Sequence, residues 1–306
     1  MDFFVTFNQI LILFIMLVVG FVVKKLNIVD ASFSKNLSNL LFNIVLPAMI
    51  IRGMSYPFSP QVLMEGFWLI VISVGTIIFS FIVAIITVKL LKVDPLSRNI
   101  YQFGIMFSNF AFMGYPVVEA LFGEQGILYA SLFSIPIYFL FNSLGIMIIK
   151  RGKAKYINMD LKNIVNPPFM AVIIGFCIFI FSLKIPKPVA MSINMLASTT
   201  TPLSMILAGL ILANAKFSEL FNNYQVYVVT SIRLILLPVS LLFFLKAFDL
   251  NLMMTGIPVV ITAMPIAANA SILAEKYDGN SYLGAQCVFI STLLSVLTIP
   301  IIAYFL

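Results

Sequence analysis

The sequence predicts an all-helical, polytopic membrane protein of ten spans arranged in two halves. Three observations carry this. Hydrophobic residues make up 62% of the 306-residue chain and charged residues only 9%, against roughly 25% charged residues in soluble domains. Apolar runs of roughly the 20 residues needed to cross a bilayer recur along its whole length. The connections are short, the longest being the RGKAKYINMDLKN stretch from Arg151 to Asn163, so no soluble domain is inserted and one membrane domain fills 1–306.

The runs read at about 5–23, 37–54, 66–91, 99–121, 126–149, 167–183, 189–213, 224–245, 255–274 and 281–305. The first ends at Lys24 and Lys25 without a small-residue cleavage motif, so it is expected as a retained helix rather than a signal peptide. The second carries Asn36, Asn39, Asn43 and Pro47 at helical spacing, one face of a helix. In the fourth, Gln102, Asn109 and Pro116 fall seven residues apart, which puts them on one face ending at an expected break at Pro116. The fifth repeats a polar stripe, Ser131, Ser134, Tyr138 and Asn142, read as helix packing. The seventh runs Asn194, Ser198, Thr201 and Pro202; the eighth holds Arg233 about nine residues in; the ninth holds Pro265, Asn269 and Ser271. Cys177 and Cys287 lie in the sixth and tenth and read as small buried hydrophobes.

Orientation follows from the basic residues. With the amino terminus outside, the cytoplasmic connections collect thirteen: Lys24, Lys25, Lys35, Lys89, Lys92, Arg98, Lys150, Arg151, Lys153, Lys155, Lys162, Lys216 and Lys276. The other face collects four, Arg52, Lys184, Lys187 and Lys246. Basic connections stay cytoplasmic, so both termini are expected outside the plasma (inner) membrane and the basic loop 151–165 inside. The net charge of +7 is then a topology signal whose partners are anionic lipid headgroups, not nucleic acid.

Five spans on either side of that loop force the halves, 1–150 and 166–306, into opposite orientations. LPAMIIRG around Pro47 resembles TPLSMILAG around Pro202, and SIPIYFL near Pro136 resembles TIPIIAYFL near Pro300. Pro47 to Pro116 is 69 residues and Pro202 to Pro265 is 63. A proline removes a backbone donor and clashes with the preceding turn, and the freed carbonyls survive in a membrane only where protein or a water-filled cavity surrounds them. Paired breaks in corresponding segments of two halves point to a transporter's binding site.

SNFAFMGYPVVEALFG, NPPFMAVIIGF, TTPLSMILAGLILA, SIRLILLPV and TAMPIAANASILAEKY, in that order, resemble the auxin efflux carrier family. That family includes the plant PIN carriers and bacterial carriers linked to dicarboxylates such as malonate and malate. The resemblance runs from about Pro47 to the carboxy terminus. It implies an inverted repeat of five helices with helices four and nine broken and crossing at the substrate site, as in sodium/bile-acid symporters and sodium/proton antiporters. It further implies alternating access of elevator type, a crossover-bearing domain moving against a scaffold, and a homodimer through the scaffold helices.

The candidate substrate-binding residues are Asn43, Ser108, Asn109, Gly114, Pro116, Glu119, Thr201, Pro202, Arg233, Pro265, Asn269 and Ser271. Asn109 stands in the N-x-x-x-M-G-x-P pattern of the plant carriers, either as a site residue or as a hydrogen bond between helices. Asn269 comes one turn after Pro265, where bacterial relatives tend to carry an asparagine. Arg233 must face the interior with a partner, since an arginine in a span costs at least about 2.5 kcal/mol. A substrate carboxylate, Glu119 and carbonyls freed by the breaks are all candidates. Glu119 can exchange a proton, help Ser108 and Asn109 hold sodium, or sit in water at the outer mouth. No cofactor is expected, sodium or proton coupling stays open, and the lack of histidine and of a paired-aspartate motif argues against a membrane enzyme and a sodium/proton antiporter. The expected function is a secondary carrier of a small organic anion; the alternative is a cation-coupled symporter of another solute on the same fold.

Overall fold

The computed structural model describes residues 3–30, 32–151, 165–213 and 223–306. Lys153, Lys155, Lys162 and Lys216, which enter the charge count, lie outside the described residues. The described residues form α-helices α1 (Phe3–Lys25), α2 (Phe33–Leu40), α3 (Leu46–Met54), α4 (Pro60–Leu90), α5 (Pro95–Met106), α6 (Tyr115–Leu140), α7 (Ile146–Lys150) and α8 (Pro167–Phe181). They continue with α9 (Lys187–Ser198), α10 (Thr200–Ala213), α11 (Tyr224–Ser231), α12 (Leu237–Lys246), α13 (Leu252–Ala263), α14 (Asn269–Lys276) and α15 (Ser281–Tyr304). Seven continuous helical stretches among them are long and apolar enough to cross a membrane, and Pro167–Phe181 and Leu252–Ala263 are shorter apolar helices. The molecule is an all-helical, polytopic membrane protein.

Single π-helical turns lead into α3, α6, α7 and α12, at Leu41–Val45, Phe110–Gly114, Phe141–Gly145 and Ile232–Leu236. Three of the four have one cause. Pro47, Pro116 and Pro238 each stand two residues beyond such a turn, and the residue before each proline donates five residues back: Leu46 to Leu41, Tyr115 to Phe110, Leu237 to Ile232. The ring of a proline clashes with the carbonyl four residues earlier. Widening the turn just before it accommodates the ring, so the prolines bend these helices without ending them.

The stretch Phe110–Lys150 runs 41 residues, about 60 Å at 1.5 Å per residue and twice the hydrocarbon thickness. It folds back at Gly123, whose φ of 67° and ψ of −162° break the helix. A left-handed φ of this kind is open to glycine alone at no cost. The reversal brings Tyr138 onto Phe110, ring centroids 4.8 Å apart.

Close approach elsewhere relies on glycine too. A β-carbon at Gly20 would lie 2.1 Å from Ile206 O, and one at Gly209 would lie 1.9 Å from Leu17 O. Small residues let membrane helices approach backbone to backbone, and α1 and α10 pack this way. The main core joins α1, α4, α5, α6, α13 and α15, while a separate apolar cluster gathers Leu37, Leu41, Val45, Phe112, Leu207 and Leu210. Cys177 is exposed and Cys287 buried, and both are free thiols.

Candidate functional site

Two helices are interrupted, and their interruptions cross. α5 ends at Met106, and the chain leaves helical geometry through Phe107, Ser108 and Asn109, the last at φ −77°, ψ 53°. α13 ends at Ala263, and Met264 at φ −65°, ψ 148° opens a second extended stretch through Ala267. Ser108 and Ile266 form an isolated antiparallel bridge, in which Asn109 N donates to Pro265 O at 2.7 Å and Ala267 N to Phe107 O at 3.1 Å. Ile266 N donates to Ser291 Oγ of α15 at 3.1 Å. Backbone groups bared by breaking a buried helix are thereby paired with protein.

The geometry corrects the expected place of the first break. Pro265 lies within its interruption, but Pro116 follows the π-helical turn Phe110–Gly114, which accommodates its ring inside a continuous helical stretch. The break is at 107–109, so it falls between Gln102 and Asn109, and the single face expected for Gln102, Asn109 and Pro116 does not exist. Gln102 is buried and is not among the residues lining the cavity described below.

Arg233 is 3% exposed and takes the third of its three expected partners. Nε donates to Met264 O at 3.2 Å, Nη1 to Ile105 O at 2.9 Å and Met106 O at 3.4 Å, and Nη2 to Thr262 O at 2.7 Å. These carbonyls end the first half of each broken helix. A helix carboxy terminus carries about half a negative charge, so one guanidinium balances two such ends and satisfies carbonyls that have lost their intrahelical donors. Its π-helical turn, set by Pro238, holds it there. Arg233 clips the crossing together from one side.

The other side holds the two helix starts. Gly114 N and Met113 N both bond back to Asn109 O, so the N–H groups of Phe110, Ala111 and Phe112 precede the first intrahelical bond, as the opening residues of α14 do. A cavity of about 70 Å³ opens against these starts, lined by Ser108, Asn109, Phe110, Ala111 and Phe112 from one break and Ala267, Ala268 and Asn269 from the other. Phe42, Tyr138, Phe141 and Asn142 complete the wall. No described residue hydrogen-bonds to the side-chain amide of Asn109 or Asn269. Two helix amino termini supply about half a positive charge each, and among the described residues no lysine, arginine, aspartate or glutamate lines this space. One anionic group with hydrogen-bond acceptors matches such a surface.

Five of the twelve candidate residues, then, stand at the crossing: Ser108, Asn109, Pro265 and Asn269, with Arg233 clipping its far side. Gly114 and Pro116 are buried in the turn that follows, Gly114 with ordinary contact distances of 3.5 Å to Met264 Cγ and Phe110 Cβ for an added β-carbon. Ser271 sits two residues into α14, its backbone against Gly284. Asn43 turns outward and donates to Asn39 O of its own helix at 2.7 Å. Glu119 is held elsewhere, paired with Arg52 of α3 and accepting from Thr201 Oγ1 of α10 at 2.6 Å, with Pro202 beside that threonine. Arg52 Nε also lies 3.6 Å from Glu124. Sequence reading missed Arg52 as a partner because it counts as an outer-face charge, and it missed the aromatic wall because phenylalanines are abundant in every span. Tyr138 and Asn142 read in the sequence as a helical packing stripe, and the structure puts both in the cavity wall.

Comparison with known proteins identifies the family. A family profile described as "Membrane transport protein" matches residues 5–160 and 154–303. An uncharacterized transporter of Methanocaldococcus jannaschii is 27% identical over 303 residues, and one of Methanothermobacter thermautotrophicus is 24% identical over 299, each match covering 96% of both chains. The uncharacterized transporter YfdV of Escherichia coli is 24% identical over 202 residues, 63% of both chains. These are transporters, not enzymes, and the match spans nearly the full length. The chain belongs to the membrane transport protein family, the auxin efflux carrier family that its motifs resemble.

Proposed function

We propose that this transporter is a secondary carrier of a small organic anion, whose carboxylate sits on the two helix starts at the crossing. The observation that carries it is the cavity itself: two asparagine amides that no described residue pairs, and two positive helix ends, face one space with no charged side chain among the described residues lining it. Their sum, about one positive charge, compensates one carboxylate; Asn109 and Asn269 supply donors to its oxygens. Five aromatic rings, Phe42, Phe110, Phe112, Tyr138 and Phe141, take the organic body.

In the same reading the helices make ten crossings. Division of the long stretch at Gly123 gives five in 1–150, and 166–306 gives five more in the opposite sense, with both termini outside and 151–165 cytoplasmic. Transport proceeds by alternating access, the broken helices with their Arg233 clip moving as a body against α1, α2, α3, α9 and α10 in the plasma membrane.

Uptake of labelled malonate or malate into proteoliposomes, with and without a sodium gradient, tests the proposal. Saturable uptake of the anion without a sodium requirement is expected. Uptake that depends on sodium and is indifferent to the anion would defeat it in favour of a cation-coupled carrier of another solute.

A further inference from the structure

We infer that Phe112 is the partition that limits how long a substrate the crossover cavity accepts, an inference that rests on the anion-carrier reading above. Two cavities meet at the crossing. The first is the space of about 70 Å³ at the helix starts. The second, about 10 Å³, lies between Leu207 and Ile211 of α10 and Val288 and Thr292 of α15. Asn109, Phe112 and Ala268 line both. Ala268 contributes a methyl group, and the backbone of Asn109 is pinned to Pro265. The bulk between the two spaces is therefore the ring of Phe112.

That ring is anchored. Phe112 is 6% exposed and belongs to the cluster with Leu37, Leu41, Val45, Leu207 and Leu210, apart from the main core that holds its neighbours Phe110 and Met113. The Phe42 ring lies 6.5 Å away at 54°. A space of about 70 Å³ is small beside the roughly 300 Å³ at the lower end of ligand pockets; it takes a carboxylate and a few carbons. Shortening Phe112 joins it to the apolar space between α10 and α15, so a longer tail can extend there while the carboxylate keeps its place on the helix starts.

The test is a chain-length profile. Thermal stabilisation of the purified full-length carrier by sodium acetate, propionate, butyrate and hexanoate gives an apparent affinity for each acid. Wild type is expected to prefer the short acids and to lose affinity by hexanoate. Phe112→Ala is expected to raise the ratio of hexanoate to acetate affinity above that of wild type, by about fourfold per added methylene beyond butyrate, with Phe112→Leu between the two. If Phe112→Ala does not fold, Phe112→Leu carries the comparison. An identical length profile in wild type and the folded variants overturns the partition and leaves the carrier reading standing. Stabilisation of wild type by none of these acids overturns the partition, while malonate or malate uptake decides the carrier reading by itself.

Discussion

Arg233 illustrates how little a residue's identity says about its partner. Its place in a span required a buried acceptor, and three were available to sequence reading; the structure gives it four main-chain carbonyls from two different helices. A carboxylate would have needed an acidic residue in reach, and Glu119 is already engaged by Arg52 and Thr201. Each buried carbonyl left without a donor costs about 1–3 kcal/mol, so Arg233→Ala should lower stability by more than about 3 kcal/mol. Arg233→Lys retains the charge but loses the planar fork that reaches both helix ends. It is expected to reduce thermal stability and transport together, both read on the same purified sample. Loss of transport with unchanged stability would return Arg233 to substrate binding. Asn109→Ala, in contrast, removes an amide that no described residue uses. It is expected to weaken anion binding about tenfold, or about 1.4 kcal/mol, with a small change in melting temperature.

At the scale of elements, most of the fold was legible. Several observed helix limits, such as Pro167–Phe181 against 167–183 and Ser281–Tyr304 against 281–305, fall close to those read from apolar runs, because bilayer thickness fixes span length. What the runs did not reveal is where a helix breaks. Pro265 marks an interruption and Pro116 does not, since a π-helical turn before Pro116 absorbs the clash and the true break sits seven residues earlier at Asn109. Proline reports a local conflict, and the neighbouring backbone decides how it is resolved. The glycines were equally silent in sequence, because their role depends on a partner helix. Gly209→Ala places a methyl 1.9 Å from Leu17 O, and overpacking of this kind costs about 1–3 kcal/mol or more. A lower melting temperature for Gly209→Ala, rescued by no change in substrate, is the expected result.

Across the whole molecule, the site was half legible. Both asparagines next to the crossing are identifiable from their spacing to proline, whereas Asn43 and Thr201, chosen as neighbours of their prolines, and Glu119, chosen as the acidic residue near the break, do not line the cavity. Helical periodicity places residues on a face but does not say what that face meets. Glu119, Arg52 and Thr201 tie the arm after the first break to α3 and α10, the helices assigned above to the scaffold. The pair is mostly buried, with side chains 11% and 22% accessible, and it lies outside the cavity at the crossing. Glu119→Gln should therefore leave anion affinity unchanged and alter only the turnover rate, measured as Vmax against KM in proteoliposomes. A raised KM would place Glu119 at the substrate after all.

In the proposed mechanism an organic anion binds at the crossing and is carried through it. Counterflow measures this most directly: proteoliposomes loaded with unlabelled malate take up labelled malate, for wild type and for Asn109→Ala. Internal anion is expected to accelerate uptake by wild type and to have little effect on the folded Asn109→Ala carrier. Equal acceleration in both, or none in either, would contradict the account.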